Sequence, residues 1–240
     1  ANIFSWLSIF IRAVRQIIFT NVNYPKVLVL EYGVDHKGDI DYLVSIARPD
    51  IAVLTAIAPT HLEFMGSIEA VAREKIKLIS SLSATGIAIL NADDSRVLEA
   101  KNKTSARVFT YGFSEMADVN ADSISYRRDE QDNVLGVQFK LATQGSSVPV
   151  FLPGVVGRPS VFSALAAVAV GLAFNVPVFT IVETLQNFLP AAGRLRLIPG
   201  IKNTQLIDDT HNSSPQAVNE ALAVLVELPG NKRWAILGDM

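Results

Sequence analysis

Residues 55–79 read TAIAPTHLEFMGSIEAVAREKIKLI. The opening residues end an apolar run, DIAVLTAI at 50–57, with the length and composition of a strand buried on both faces. A loop with Pro59, His61 and Glu63 follows. The spacing then changes: Ile68, Val71, Ala72, Ile76, Ile79 and Leu82 recur at helical intervals and form one apolar stripe. Strand, polar loop and amphipathic helix make the repeating unit of an α/β fold. Lys75 falls inside the stripe, whereas Glu69, Arg73 and Lys77 fall outside it. An ammonium is costly to bury alone, so Lys75 either snorkels to the helix edge or is paired or chemically modified.

Upstream, KVLVL at 26–30 is a second run suited to a strand buried in a parallel sheet. It ends in Glu31 and is followed by Gly33, Gly38 and Asp39. A carboxylate at that end of a strand lies where open α/β sheets take ligands, and is equally an ordinary strand-end acid. A short helix is expected at 40–47. Downstream, GIAIL at 86–90 reads as a strand running into Asn91-Ala92-Asp93-Asp94, where an Asp can cap the helix that carries Val97 and Leu98. Residues 107–111 are a further strand. Strand and helix alternate to this point, which implies a mainly parallel sheet flanked by helices.

Residues 118–152 lack a helical stripe. Short strands are expected at 123–126, 134–141 and 148–152, with turn residues at 129–133 and 144–147, as a small appended antiparallel sheet. The Ala-rich run at 159–174 returns to helix, and Pro177 opens another, VPVFTIVETLQNFL. Residues 190–193 mark a domain boundary, giving domains 1–190 and 191–240. The second is expected to hold a strand (204–207), a helix (215–228) and a strand (233–237). That unit is too small to stand alone and leaves sheet edges unpaired, so the natural protein is expected to continue past Met240.

The 240 residues are half hydrophobic and 18% charged, with net charge −2 and no cysteine. This is globular composition, with no general electrostatic call for nucleic acid or an anionic membrane, no disulfide framework and no thiolate chemistry. Residues 3–19, IFSWLSIFIRAVRQIIF, are interrupted by Arg12 and Arg15 and are short for a bilayer span. They read as a helix with a wide apolar face, docked on the domain or, alternatively, lying on a membrane surface.

Glu31, His61 and Lys75 sit at strand ends or on the helix that follows and can converge on one sheet edge. Glu and His ligate divalent cations, and an ammonium repels them. A lysine with a lowered pKa can react with carbon dioxide to give an anionic carbamate. Asp208-Asp209, after the apolar QLI, suits a ribose or a metal, or caps the next helix. Arg194 in AAGRLRLI can clamp phosphate or form an interdomain ion pair. No G-x-x-x-x-G-K-[ST] phosphate loop occurs in the chain.

The stretches LEYGVDHKGDI, THLEFMGSIEAVAREK, ILNADD, AAGRLR, LIDDTHNSSP and AILGDM lie in order over residues 25–240. Together they resemble the Mur ligases, ATP-dependent amide-forming enzymes of peptidoglycan synthesis. They lie nearest to the members that add D-Ala-D-Ala to a UDP-muramyl-tripeptide through an acyl phosphate. The resemblance implies a cytoplasmic enzyme using ATP and magnesium. This chain would hold most of the central ATPase domain without its phosphate loop, then the start of a Rossmann-like C-terminal domain. Glu31 and His61 would serve magnesium. Lys75 matches the family's carbamoylated lysine, Arg194 would face the γ-phosphate, and Asp209 the ribose. The family usually carries G-x-H-N-x-x-N-A-L-A-A near the adenine. Here the run is GRPSVFSALAA, so Pro159, Ser160 and Ser163 stand where His, Asn and Asn are usual. Other Mur-superfamily amide ligases, of muramyl-peptide or folylpolyglutamate type, and a non-catalytic Mur-like binding domain are the alternatives.

Overall fold

The computed structural model describes residues 2–19, 25–59, 62–202 and 204–238. The chain divides into two compact units, Ala1–Gly33 and Val34–Met240.

The first unit holds helix α1 (Ile3–Ile18), whose N-cap Asn2 accepts from the Phe4 N–H. The strand expected at 26–30 does not form. Residues 26–30 carry no strand assignment, and Val29 is 92% exposed. A run of β-branched residues states fitness for a buried strand, but a strand exists only where a neighbour takes up its N–H and C=O groups.

The second unit is built on one six-stranded sheet in the order β1 (Ile51–Leu54), β2 (Ile87–Asn91), β3 (Arg107–Gly112), β4 (Val119–Arg128), β5 (Val134–Thr143) and β6 (Ser146–Pro153). The first three pairings are parallel and the last two antiparallel, so the antiparallel part is the far half of the same sheet. α2 (Asp39–Ile46) precedes β1. α3 (Leu62–Met65) and α4 (Ile68–Ser80) cross from β1 to β2, and α5 (Ser95–Leu98) with a 3-10 turn from β2 to β3. β4 runs longer than expected because Ser123 takes a positive φ and the register to β5 shifts between Asp122 and Ser125. That bulge breaks the alternation by which a strand is recognised.

Both faces of the parallel half of the sheet are covered, whereas β5 alternates buried and exposed residues. Along β2, Ala88 and Leu90 pack with Leu54, Val71 and Ile79 on the α4 side. Ile89 between them packs with Tyr111, Leu165 and Val168 on the side of α6 (Gly157–Ala173) and α7 (Val178–Gln186). The continuous apolar runs of the strands follow from this two-sided burial.

The chain then forms an antiparallel hairpin of β7 (Arg196–Pro199) and β8 (Gln205–Asp208), followed by α8 (Pro215–Glu227), N-capped by Ser214. β7 is not among the expected strands; its four residues are too short and too exposed to show a period. The strand expected at 233–237 does not form, and Ile236 there is 98% exposed, again with no ladder partner. Val224 and Leu228 pack with Val134, Val156 and Leu195, and Tyr126 donates to Glu227 at 2.9 Å. A Cβ on Gly157 would clash with Val224 Cγ2, so a glycine lets α8 approach α6.

Candidate functional site

Strands β1, β2 and β3 run parallel, so their carboxyl ends share one rim, the edge at which open α/β sheets take ligands. Side chains from the β2 end lace the rim together. Asn91 donates from Nδ2 to the Thr55 carbonyl and accepts the Asp93 N–H, both at 2.8 Å. Asp94 Oδ2 accepts the Ile57 N–H at 2.9 Å, while its Oδ1 caps α5 through the N–H groups of Arg96 and Val97. Asp93 accepts the N–H groups of Phe113 at 2.7 Å and Ser114 at 3.0 Å in the loop after β3. Gly112 makes that approach feasible, since a Cβ there would lie 2.7 Å from Asp93 Oδ2.

Lys75 reaches this rim from α4. Its Nζ donates to the Ala56 carbonyl at 3.0 Å. Burial pulls its pKa below the usual 10.5, and the charge of Asp94 opposes that pull. The amine is therefore neutral more readily than on an open surface, and the neutral amine is the form that attacks carbon dioxide.

Its neighbour Glu74 is the deeply buried polar residue of α4, 2% exposed. Glu74 Oε1 accepts the N–H groups of Gly38 at 3.0 Å and Ile40 at 3.1 Å, at the start of α2. Its Oε2 pairs with Lys77 at 2.8 Å, and Lys77 also bonds Asp41 at 2.6 Å. The helical stripe does not single out Glu74, because its partners lie far upstream in sequence. The rim roles of Asn91, Asp93 and Asp94 have a visible signal in the N-A-D-D that follows a strand, a pattern that by itself suggests only the helix cap.

Arg194 and Asp209 are brought together at the turn into β7. Asp208 accepts the Thr210 hydroxyl at 2.7 Å and the Gly193 N–H at 2.9 Å; these bonds, the hydroxyl's first, hold its carboxyl below the usual carboxylate range. Asp209 accepts the Leu195 N–H at 3.1 Å. Adjacent carboxylates thus hold the backbone on either side of Arg194, whose side chain is exposed. Gly193 has φ +73°, and a Cβ there would lie 2.7 Å from the His211 nitrogen.

Ser160 and Ser163 lie near the start of α6, where their hydroxyls donate to the Val156 and Pro159 carbonyls at 2.8 and 3.0 Å. Arg158 beside them stacks 3.8 Å over the Phe113 ring, tying α6 to the loop after β3. Glu31 belongs to the first unit and Lys75 to the second, and His61 lies outside the described residues. Among the described residues no group of three or more His, Cys, Asp or Glu is placed to hold a metal ion. No described helix is long and apolar enough to cross a membrane.

Comparison with known proteins adds to this geometry. The UDP-N-acetylmuramoyl-tripeptide–D-alanyl-D-alanine ligase of Escherichia coli is 35% identical over 212 residues, covering 88% of this chain and 46% of that protein. The enzyme of that name from Bacillus subtilis is 30% identical over 216 residues, covering 90% of this chain and 45% of its own length. The chain thus spans a little under half the length of these curated relatives. Among solved structures, MurF from Acinetobacter baumannii superposes with a TM-score of 0.73 at 31% identity, covering 83% of this chain and 42% of that one. The MurF ligase of Thermotoga maritima in complex with ADP gives 0.77 at 25% identity, covering 87% and 47%. The profile of the Mur ligase middle domain matches residues 13–171. A shared fold and a profile match over more than half of the residues agree: the chain belongs to the Mur ligase family.

Proposed function

We propose that the chain is the ATPase-domain part, with the start of the following domain from residue 191, of a cytoplasmic ligase that joins D-Ala-D-Ala to a UDP-muramyl-tripeptide. The observation that carries this reading is Lys75, an amine with a lowered pKa held on the Ala56 carbonyl at the ligand rim of a Mur ligase fold. The names of the relatives at 35% and 30% identity supply the substrates.

In this reading the tripeptide carboxylate attacks the γ-phosphorus of ATP, ADP leaves, and an acyl phosphate forms. The amine of D-Ala-D-Ala then attacks the acyl carbon, phosphate leaves, and an amide remains. Arg194, an exposed guanidinium on a turn pinned by Asp208 and Asp209, faces the γ-phosphate and offsets its charge. Asp209 keeps carboxylate lone pairs for ribose hydroxyls beyond its bond to Leu195. Ser160 and Ser163 lie toward the base, each hydroxyl keeping acceptor capacity beyond the bond it donates.

Magnesium takes hard oxygen donors, which fits Glu31 and a carbamate on Lys75 but not an ammonium there. His61 is the nitrogen donor of the proposed set, beside these oxygen ligands. When bound, the ion supplies Lewis-acid stabilisation of phosphoryl oxygens. The protein's own part is to hold Lys75 at the rim in a form open to carbamoylation.

One observation favours a second reading, a Mur-like domain that binds nucleotide or a partner without ligation. Ser160 and Ser163 replace the usual asparagines and donate only to their own helix. The test is the full-length gene product with ATP, UDP-muramyl-tripeptide and D-Ala-D-Ala. The first reading expects ADP release that depends on D-Ala-D-Ala and formation of the pentapeptide product. ATP binding without either would support the second and overturn the first.

A further inference from the structure

Helix α1 is absorbed by none of the chemistry above. None of its residues is buried; Phe4 is 74% and Trp6 63% exposed. At 3.6 residues per turn, Ser5, Ser8, Arg12, Arg15 and Gln16 gather on one side, roughly a third of the circumference. The rest of the surface is isoleucine, leucine, valine, alanine, phenylalanine and tryptophan. A docking helix of a globular protein usually shows the converse, an apolar stripe and a broader polar face.

Charge selects the partner. Residues 1–30 carry Arg12, Arg15 and Lys26 and no acidic residue, in a chain whose net charge is −2. Arg15 lies in the last turn of the helix and no acid in the first. A wide apolar arc with aromatic rings, flanked by cations alone, is the make-up of a helix that lies in the headgroup layer of an anionic bilayer. Its 16 residues are too few to span one.

We propose that α1 is an in-plane anchor that binds the protein to anionic lipid surfaces, its apolar arc among the acyl chains and Arg12 and Arg15 at the phosphates. The anchor is independent of the ligase reading, since it uses no residue of the rim.

The test uses the full-length protein carrying Trp234→Phe, which leaves Trp6 as the tryptophan of residues 1–240. It is mixed with vesicles of phosphatidylcholine containing one quarter phosphatidylglycerol, and with phosphatidylcholine alone. The expected result is sedimentation with the anionic vesicles, a blue shift of Trp6 emission on binding, and affinity at least roughly tenfold weaker for the neutral vesicles. Arg12→Glu with Arg15→Glu should abolish the preference for anionic lipid. Phe4→Ser with Phe10→Ser should abolish sedimentation on both, with the circular dichroism of the chain retained. Protein that stays in the supernatant overturns the proposal. So does Trp6 emission already blue-shifted without lipid and unmoved by vesicles, which would place α1 against protein. Binding that survives Phe4→Ser with Phe10→Ser overturns it too.

Discussion

Asp94 Oδ2 accepts the backbone N–H of Ile57 at 2.9 Å, tying the loop after β2 to the loop after β1 beside Lys75. The same carboxylate caps α5 with its other oxygen, so one side chain sets two loops and a local charge. Asp94→Ala should lower stability by about 1–3 kcal/mol, from a lost cap and an unpaired N–H. Asp94→Asn keeps acceptor capacity and should cost less. Both should lower the Lys75 pKa further, because the charge that opposes its burial is gone. Urea unfolding reads the first effect and NMR of lysine labelled at the ε-carbon the second.

Lys75 itself gives a pH signature. Its folded pKa lies below the usual 10.5, so between the two values the unfolded chain binds more protons. The penalty for holding the charged amine is complete below the folded pKa. It fades as pH rises toward 10.5. Lys75→Met should therefore stabilise the unmodified protein at pH 7 and lose that advantage in the alkaline range. Urea midpoints across pH check this, and a Lys75→Met midpoint below the parent's at neutral pH would count against it.

In the full-length enzyme, Lys75→Ala should lower ligation by about a hundredfold or more, the scale of a lost charge-stabilising group. Excess bicarbonate should not restore it, because no amine remains to carry the carbamate. Near-normal turnover would refute the role proposed for Lys75. A carbon-13 carbamate signal from the parent in labelled bicarbonate, absent from Lys75→Ala, gives a readout separate from activity.

How much of the molecule is legible in the sequence depends on where the determining partner lies. The α4 stripe, the parallel strands β1 to β3 and the Ala-rich α6 can be read because their periods and two-sided burial are local properties. Residues 26–30 and 233–237 carry the same apolar signal but find no ladder, a fact that no window of sequence contains. The rim is readable as strand ends and acids. Glu74 is not, since its importance comes from the α2 backbone it meets across the fold. Arg194 and Asp209 stand apart along the chain, and only the hairpin of β7 and β8 shows that they belong to one turn.

Glu74 should be the costliest single residue of α4 to truncate. Glu74→Ala leaves the N–H groups of Gly38 and Ile40 without their acceptor and Lys77 without one of its two anions. A buried charge-assisted network broken on one side costs about 3–5 kcal/mol. Glu74→Gln retains an acceptor oxygen and should recover part of that. If Glu74 holds α2 in place, hydrogen exchange in residues 38–46 should accelerate in Glu74→Ala well before exchange in β2. Uniform acceleration across the sheet would instead mean that the residue supports the whole core.

Gly193 tests the turn that presents Arg194. Its φ of +73° lies in the left-handed region, and an added Cβ would meet the His211 backbone at 2.7 Å, where no flexible side chain can yield. Gly193→Ala should cost about 1–3 kcal/mol locally by that strain. The strain should open the bonds from Gly193 and Leu195 to Asp208 and Asp209. In the full-length enzyme a misplaced guanidinium should lower kcat more than it raises the KM for the tripeptide, because the phosphoryl charge it offsets is greatest in the transition state. A mutant with unchanged kcat would remove Arg194 from the phosphate and leave the turn a structural corner between α7 and β7.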